Sequence, residues 1–216
     1  MNKSEETPLP WKFESKYLRL NMMIFSLYIF AFELLKAAIV NGVKSEFVDW
    51  EYSKEQLQEL KNDDSPMGKL AYEGYANNLT EFEQAIGEKY NTPDNYLLIP
   101  CATWLKNNEA ISSNEVNVIM EIRNHRNQIA HEMPKFLFDS EHNLDLELFA
   151  HVRDILSKID LFWFRMDIHF NPETWEELDS TEISDNEVIS TREAFLHLAS
   201  RAVEEYAKEI ASSDNE

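Results

Sequence analysis

The sequence predicts an all-α protein, and three observations carry that prediction. Glycine and proline number only 4 and 7 in 216 residues, whereas a β protein needs both for its many tight turns. No stretch alternates apolar and polar residues for long. Several segments instead place apolar side chains three and four residues apart, the spacing of one helical face. With 44% hydrophobic and 28% charged residues, a chain of this length buries a core without disulfides or metals. The single cysteine, Cys101, has no internal disulfide partner and lies in the apolar run Leu97-Leu98-Ile99-Pro100-Cys101. It reads as core filler rather than as a reactive thiol, and the compartment implied is the cytoplasm.

The elements follow in order. Residues 1–13 are a lead-in containing Pro8 and Pro10. A long helix is expected from about Glu14 to Phe47. Its segment 22–32 is apolar on nearly every side, which suits a central helix or one with a face kept for a partner. That run falls short of the roughly 20 apolar residues of a membrane span, and its leader carries Glu5, Glu6 and Glu14, unlike a signal peptide. No membrane association is expected. Ser53-Lys54-Glu55-Gln56 has the capping-box pattern and opens a short helix to about Lys61. Ser65-Pro66 starts the next, with Tyr72, Tyr75, Leu79, Phe82 and Ile86 on one stripe. Asn91-Thr92-Pro93-Asp94 is a turn, and a helix to Lys106 follows with Trp104 in the core. Ser112-Ser113-Asn114-Glu115, another capping box, opens a helix that Pro134 is expected to stop. Leu148, Val152, Ile155, Ile159, Phe162 and Met166 mark one more amphipathic helix. Residues 14–170 thus form a helical bundle. Residues 171–191 hold seven acidic residues and no Lys or Arg and read as a solvated loop. Residues 192–216 form a terminal helix packed on the bundle, opened by the capping box Ser190-Thr191-Arg192-Glu193 and marked by Phe195, Leu198, Ala202, Tyr206 and Ile210.

A formal net charge of −20 repels nucleic acid and anionic membranes at long range. It counts against a general nucleic-acid binder but leaves room for one local anion site, since salt screens fields beyond about 10 Å.

One segment is loaded with chemistry: Arg126-Asn127-Gln128-Ile129-Ala130-His131. At 100° per residue, Val118, Ile122, Ile129 and Met133 form a core stripe, and Arg126 lies at its edge. A guanidinium there is costly unless a carboxylate or an incoming anion meets it. Asn124, Asn127, Gln128 and His131 form a second, hydrogen-bonding stripe. His131 lies near the helix end, where the dipole favours a protonated imidazole, and a group titrating near neutrality suits acid–base catalysis. Arg126 and His131 are about 140° apart on an ideal helix. Either the helix end distorts, or two copies face each other across a two-fold axis and pool their groups; the very apolar first helix favours the second.

These residues resemble the signature of the HEPN superfamily: an arginine, a polar residue next to it, and a histidine after a short gap. The resemblance implies a helical bundle with a long first helix that dimerises with its motifs at the interface. It also implies metal-independent cleavage of RNA in the setting of toxin–antitoxin or phage-defence systems, with a cognate protein partner in some of them. Arg126 would then hold the scissile phosphate, His131 would act as general acid or base, and Asn127 would orient one of them. Glu33, on the first helix, is the candidate for the acidic residue that relatives place near the motif. Asn124 and Gln128 are supporting candidates. No cofactor is implied, and His125, His142, His151, His169 and His197 show no metal-ligand spacing. An inactive binding module with the same bundle, or an acidic immunity-like protein that binds a basic partner, are the alternatives, and the net charge favours them.

Overall fold

A computed structural model describes residues 15–48, 52–138, 145–171, 173 and 188–213. Among these residues there are seven helices and no strand: α1 (Ser15–Phe47), α2 (Lys54–Asn62), α3 (Pro66–Ile86), α4 (Asp94–Asn107), α5 (Ser113–Phe138), α6 (Leu146–Phe170) and α7 (Thr191–Ser213). The protein is all-α, as its composition predicts.

The 33-residue α1 is the axis of the bundle. It packs against α4, α6, α7, α5 and α3, which is why it is apolar on so many sides. Leu35, Ala38, Ile39, Val40 and Val43 are fully buried at its C-terminal half. Taken with its flanks, α1 contains an 18-residue window of mean hydropathy 2.0, long and apolar enough to cross a membrane by those measures alone. Nearly half of that window is buried against the other helices.

Local signals act where expected. Ser53 and Gln56 close the full capping box of α2, and Ser65 caps α3 with Pro66 in its first turn. Ser112 and Glu115 exchange both bonds at the start of α5. Each satisfies backbone N–H groups that a helix start leaves without partners. Helix α2 packs only on α3 among the described elements. Gly87 ends α3 at φ 78, the left-handed cap that glycine adopts without strain.

Trp104 is half-buried rather than fully enclosed and stacks on Trp163, with ring centroids 6.2 Å apart. Trp163 Nε1 donates to the Ala38 carbonyl at 3.2 Å, and its ring lies directly over Gly42.

One expectation needs correction. Pro134 does not stop the motif helix. The backbone leaves helical geometry at Glu132 (φ −119, ψ 22) and resumes a helix that runs to Phe138. Proline lacks the N–H and crowds the carbonyl four residues back, so the break falls just before it, while its fixed φ suits the first turn of the segment that follows. On α7, Phe195 and Leu198 are exposed, and Leu196 and Ile210 are the buried residues. Phe195, Ala199, Ala202 and Val203 instead form one wall of an open groove of about 690 Å³, whose other wall on α1 includes Leu18, Met22, Met23 and Phe30. The start of α7 is fixed by the buried Asp160 of α6, which accepts hydrogen bonds from Ser190 Oγ (2.5 Å) and Arg192 Nη1 (2.6 Å). Most of the acidic 171–191 stretch lies outside the described residues.

Candidate functional site

Helix α5 buries Ile119, Ile122 and Ile129 completely, and Val118 and Met133 in part, the core stripe its periodicity predicts. Arg126 sits at the edge of that stripe and reaches across to α1. Its Nη2 donates to Glu33 Oε1 at 2.8 Å, and its guanidinium carbon lies 5.5 Å from the centroid of the Phe32 ring. Its Nη1 donates to Asn127 Oδ1 at 3.4 Å. The Nε is buried without a hydrogen-bond partner. A partly buried guanidinium is thus met by a carboxylate, as the cost of burying its charge requires.

Glu33 is shared. Its other oxygen pairs with Lys36, one turn along α1. The Lys36 ammonium also lies 5.8 Å from the Phe32 centroid and 3.5 Å from Asn95 Oδ1 on α4. Burial alone would push the Glu33 carboxyl up. The ion pairs with Lys36 and Arg126 outweigh it and hold the group below the usual carboxylate range, so Glu33 is ionised at neutral pH.

The second stripe is open. Asn124, Gln128 and His131 are exposed, and Asn127 is half-buried beside Arg126. Within α5 the only departure from helical geometry is at Glu132. The turn from Arg126 to His131 is therefore regular, and the 140° between them persists. The helix end does distort, but one residue too late to carry His131 round to Arg126. The structure brings Arg126, Asn127 and Glu33 together and leaves His131, Asn124 and Gln128 on another side.

His125, beside the motif arginine, is a packing neighbour with partners the sequence does not reveal. Its ring packs edge-on against Tyr28 at 5.1 Å and Phe136 at 5.8 Å, and its Nε2 accepts the backbone N–H of Asp145 at 3.2 Å. Asp145 in turn caps α6 through Glu147 and Leu148. His125 thus ties the motif helix to α1, to its own kinked end and to α6. Burial lowers its pKa from the ordinary value near 6.5, against the opposing pull of the Asp145 carboxylate and a bond with Gln128. The unfolded chain takes up this proton first on acidification. The stabilisation is therefore complete above about pH 6.5 and is lost as pH falls from there towards the depressed native value. Denaturant unfolding at pH 7.5 and 5.5 should show a smaller loss in His125→Gln than in wild type; an equal loss would contradict this role.

Cys101 is buried, and burial pushes its thiol up to about 12, which makes it a packing group rather than a nucleophile. Among the described residues, no group of three His, Cys, Asp or Glu side chains is placed to hold a metal ion. Comparison with protein-family models, with curated proteins and with solved structures returns no match.

Proposed function

We propose that this chain is a metal-independent endoribonuclease of HEPN type that acts as a two-fold dimer in the cytoplasm. The observation that carries the proposal is Arg126, drawn to the edge of the core by Glu33 of the first helix, with Asn127 beside it and His131 open to solvent a turn and a half further on. Separation of Arg126 and His131 on a regular turn favours pooling of groups from two protomers. So does α1: Met22, Ser26, Phe30 and Glu33 fall within about 80° of one another, so the apolar groove it shares with α7 leads along one face into the Arg126 site.

The reaction is attack by a ribose 2′-oxygen on the adjacent phosphorus. A bond forms from the 2′-oxygen to phosphorus as the bond to the 5′-oxygen breaks. One imidazole accepts the 2′ proton, and the other protomer's imidazole protonates the departing 5′-oxygen. The arginine fork stabilises the charge that grows on the non-bridging oxygens. The products are a 2′,3′-cyclic phosphate and a 5′-hydroxyl. Toxin or phage-defence roles, with a cognate protein partner, suit such an activity.

The net charge of −20 and the engagement of Arg126 by Glu33 favour one other reading, a binding module that keeps the bundle without cleavage. An RNA digestion series in EDTA separates the two. Wild type is expected to cut and leave cyclic phosphate ends, and Arg126→Ala and His131→Ala are each expected to lose about a hundredfold or more of that rate. Cleavage that needs Mg²⁺, or that survives both substitutions, would reject the nuclease.

A further inference from the structure

Glu33 lies between two cations. One of its oxygens meets Arg126 and the other meets Lys36, and both cations lie over the Phe32 ring. The exposures of the three side chains are ordered: Lys36 17%, Arg126 27%, Glu33 37%. The carboxylate is therefore the outermost member and covers two deeper cations. It also sits on the stripe of α1 that continues the open groove, so its side chain can turn outwards into water.

We infer that Arg126 and Lys36 form a two-cation subsite for a phosphate group, and that Glu33 is its resident placeholder, displaced when a phosphate binds. The inference rests on the proposed site and adds its regulation. The two non-bridging oxygens of a phosphodiester present the same two-pronged face as a carboxylate, which a guanidinium fork and an ammonium both accept. When Glu33 leaves, Lys36 retains one neighbour on α4, Asn95 Oδ1 at 3.5 Å. With Glu33 in place the cluster carries one net positive charge, and with Glu33 withdrawn it carries two. In a chain of net charge −20 this sets a threshold. Anions at low concentration meet a filled site, and displacing the carboxylate takes a high concentration of phosphate or a ligand with further contacts.

The test is a titration with inorganic phosphate, followed by the ¹⁵N–¹H signals of the arginine Nε and lysine Nζ groups. A second arm uses a short 2′-O-methyl oligoribonucleotide, which binds but has no 2′-hydroxyl to react. Glu33→Gln is expected to bind phosphate about tenfold more tightly than wild type, as expected when one competing anion is removed. Adding Lys36→Ala or Arg126→Ala to Glu33→Gln should abolish that gain. Tighter binding of the oligonucleotide than of phosphate assigns the ligand to a nucleic-acid backbone, and equal binding assigns it to free phosphate. Should Glu33→Gln fail to fold, wild type at high phosphate serves instead, with the Arg126 and Lys36 signals expected to shift together. Weaker or unchanged phosphate binding in folded Glu33→Gln, or silent signals in wild type, would overturn the inference. Neither arm requires cleavage, so loss of the nuclease reading alone leaves this result standing.

Discussion

Arg126→Ala is expected to lower RNA cleavage by a hundred- to a thousandfold, the usual effect of removing one preorganised donor to a developing oxyanion, while the protein stays folded. The second half follows from the geometry. Removing the guanidinium leaves Glu33 still paired with Lys36, so no carboxylate is stranded, and the lost ion pair is partly exposed and contributes about 1 kcal/mol or less. Arg126→Lys should recover little, because an ammonium restores the charge without the fork that meets two oxygens and stacks on Phe32. Initial rates on a fluorogenic RNA, set beside thermal melts of the same preparations, measure both. A folded Arg126→Ala protein that cleaves at the wild-type rate would remove the arginine from the chemistry.

Gly42→Ala is expected to destabilise the bundle. An added Cβ would stand 2.5 Å from Trp163 Nε1 and 2.6 Å from Cε2, well inside contact distance. The indole has little freedom to yield, because it stacks on Trp104, abuts Phe162 and donates to the Ala38 carbonyl. Overpacking of this kind costs about 1–3 kcal/mol and the strained hydrogen bond about 1 more. Alanine's better helix propensity returns about 1 kcal/mol. The net expectation is a loss of about 1–3 kcal/mol with a changed tryptophan emission. Gly74 on α3 is the control. A Cβ there meets nothing within 4 Å, so Gly74→Ala should stabilise by up to about 1 kcal/mol. Denaturant unfolding of the two variants should move in opposite directions, and a neutral Gly42→Ala would show that the α1–α6 contact is looser than described.

What the sequence made legible was local. The capping boxes at Ser53 and Ser112 and the Ser65-Pro66 helix start are read within four residues and are realised as hydrogen bonds. The stripe of α6 buries Val152, Ile155 and Ile159 for the same reason. Long-range pairings were less accessible. That Arg126 needs a carboxylate follows from its place at the edge of an apolar face, but Glu33 lies 93 residues away, and only the resemblance nominated it. Nothing in the spacing marks Gly42 as the seat of Trp163, because close approach depends on how two helices cross. The packing of α7 was not legible either. Periodicity tells which face is apolar, not whether the bundle has a surface to offer it, and here Phe195 and Leu198 remain exposed while Leu196 turns in. The partners of His125 were hidden for the same reason, since they come from three directions and each is unremarkable in sequence.

The motif helix spans two clusters of buried residues, the changeover falling between Ile122 and Ile129, before the kink at Glu132. Ile119 and Ile122 belong to the main core. Ile129, Phe136 and Leu137 belong with Phe25 and Tyr28 to a small cluster of five buried residues. The arginine and the histidine of the motif are therefore mounted on supports of unequal strength. A fluctuation that opens the smaller cluster detaches the imidazole end without disturbing the guanidinium end, and its free energy lies below that of global unfolding. Amide hydrogens beyond residue 131 should exchange well ahead of those around Ile122, giving the arginine and the histidine different lifetimes in their positions.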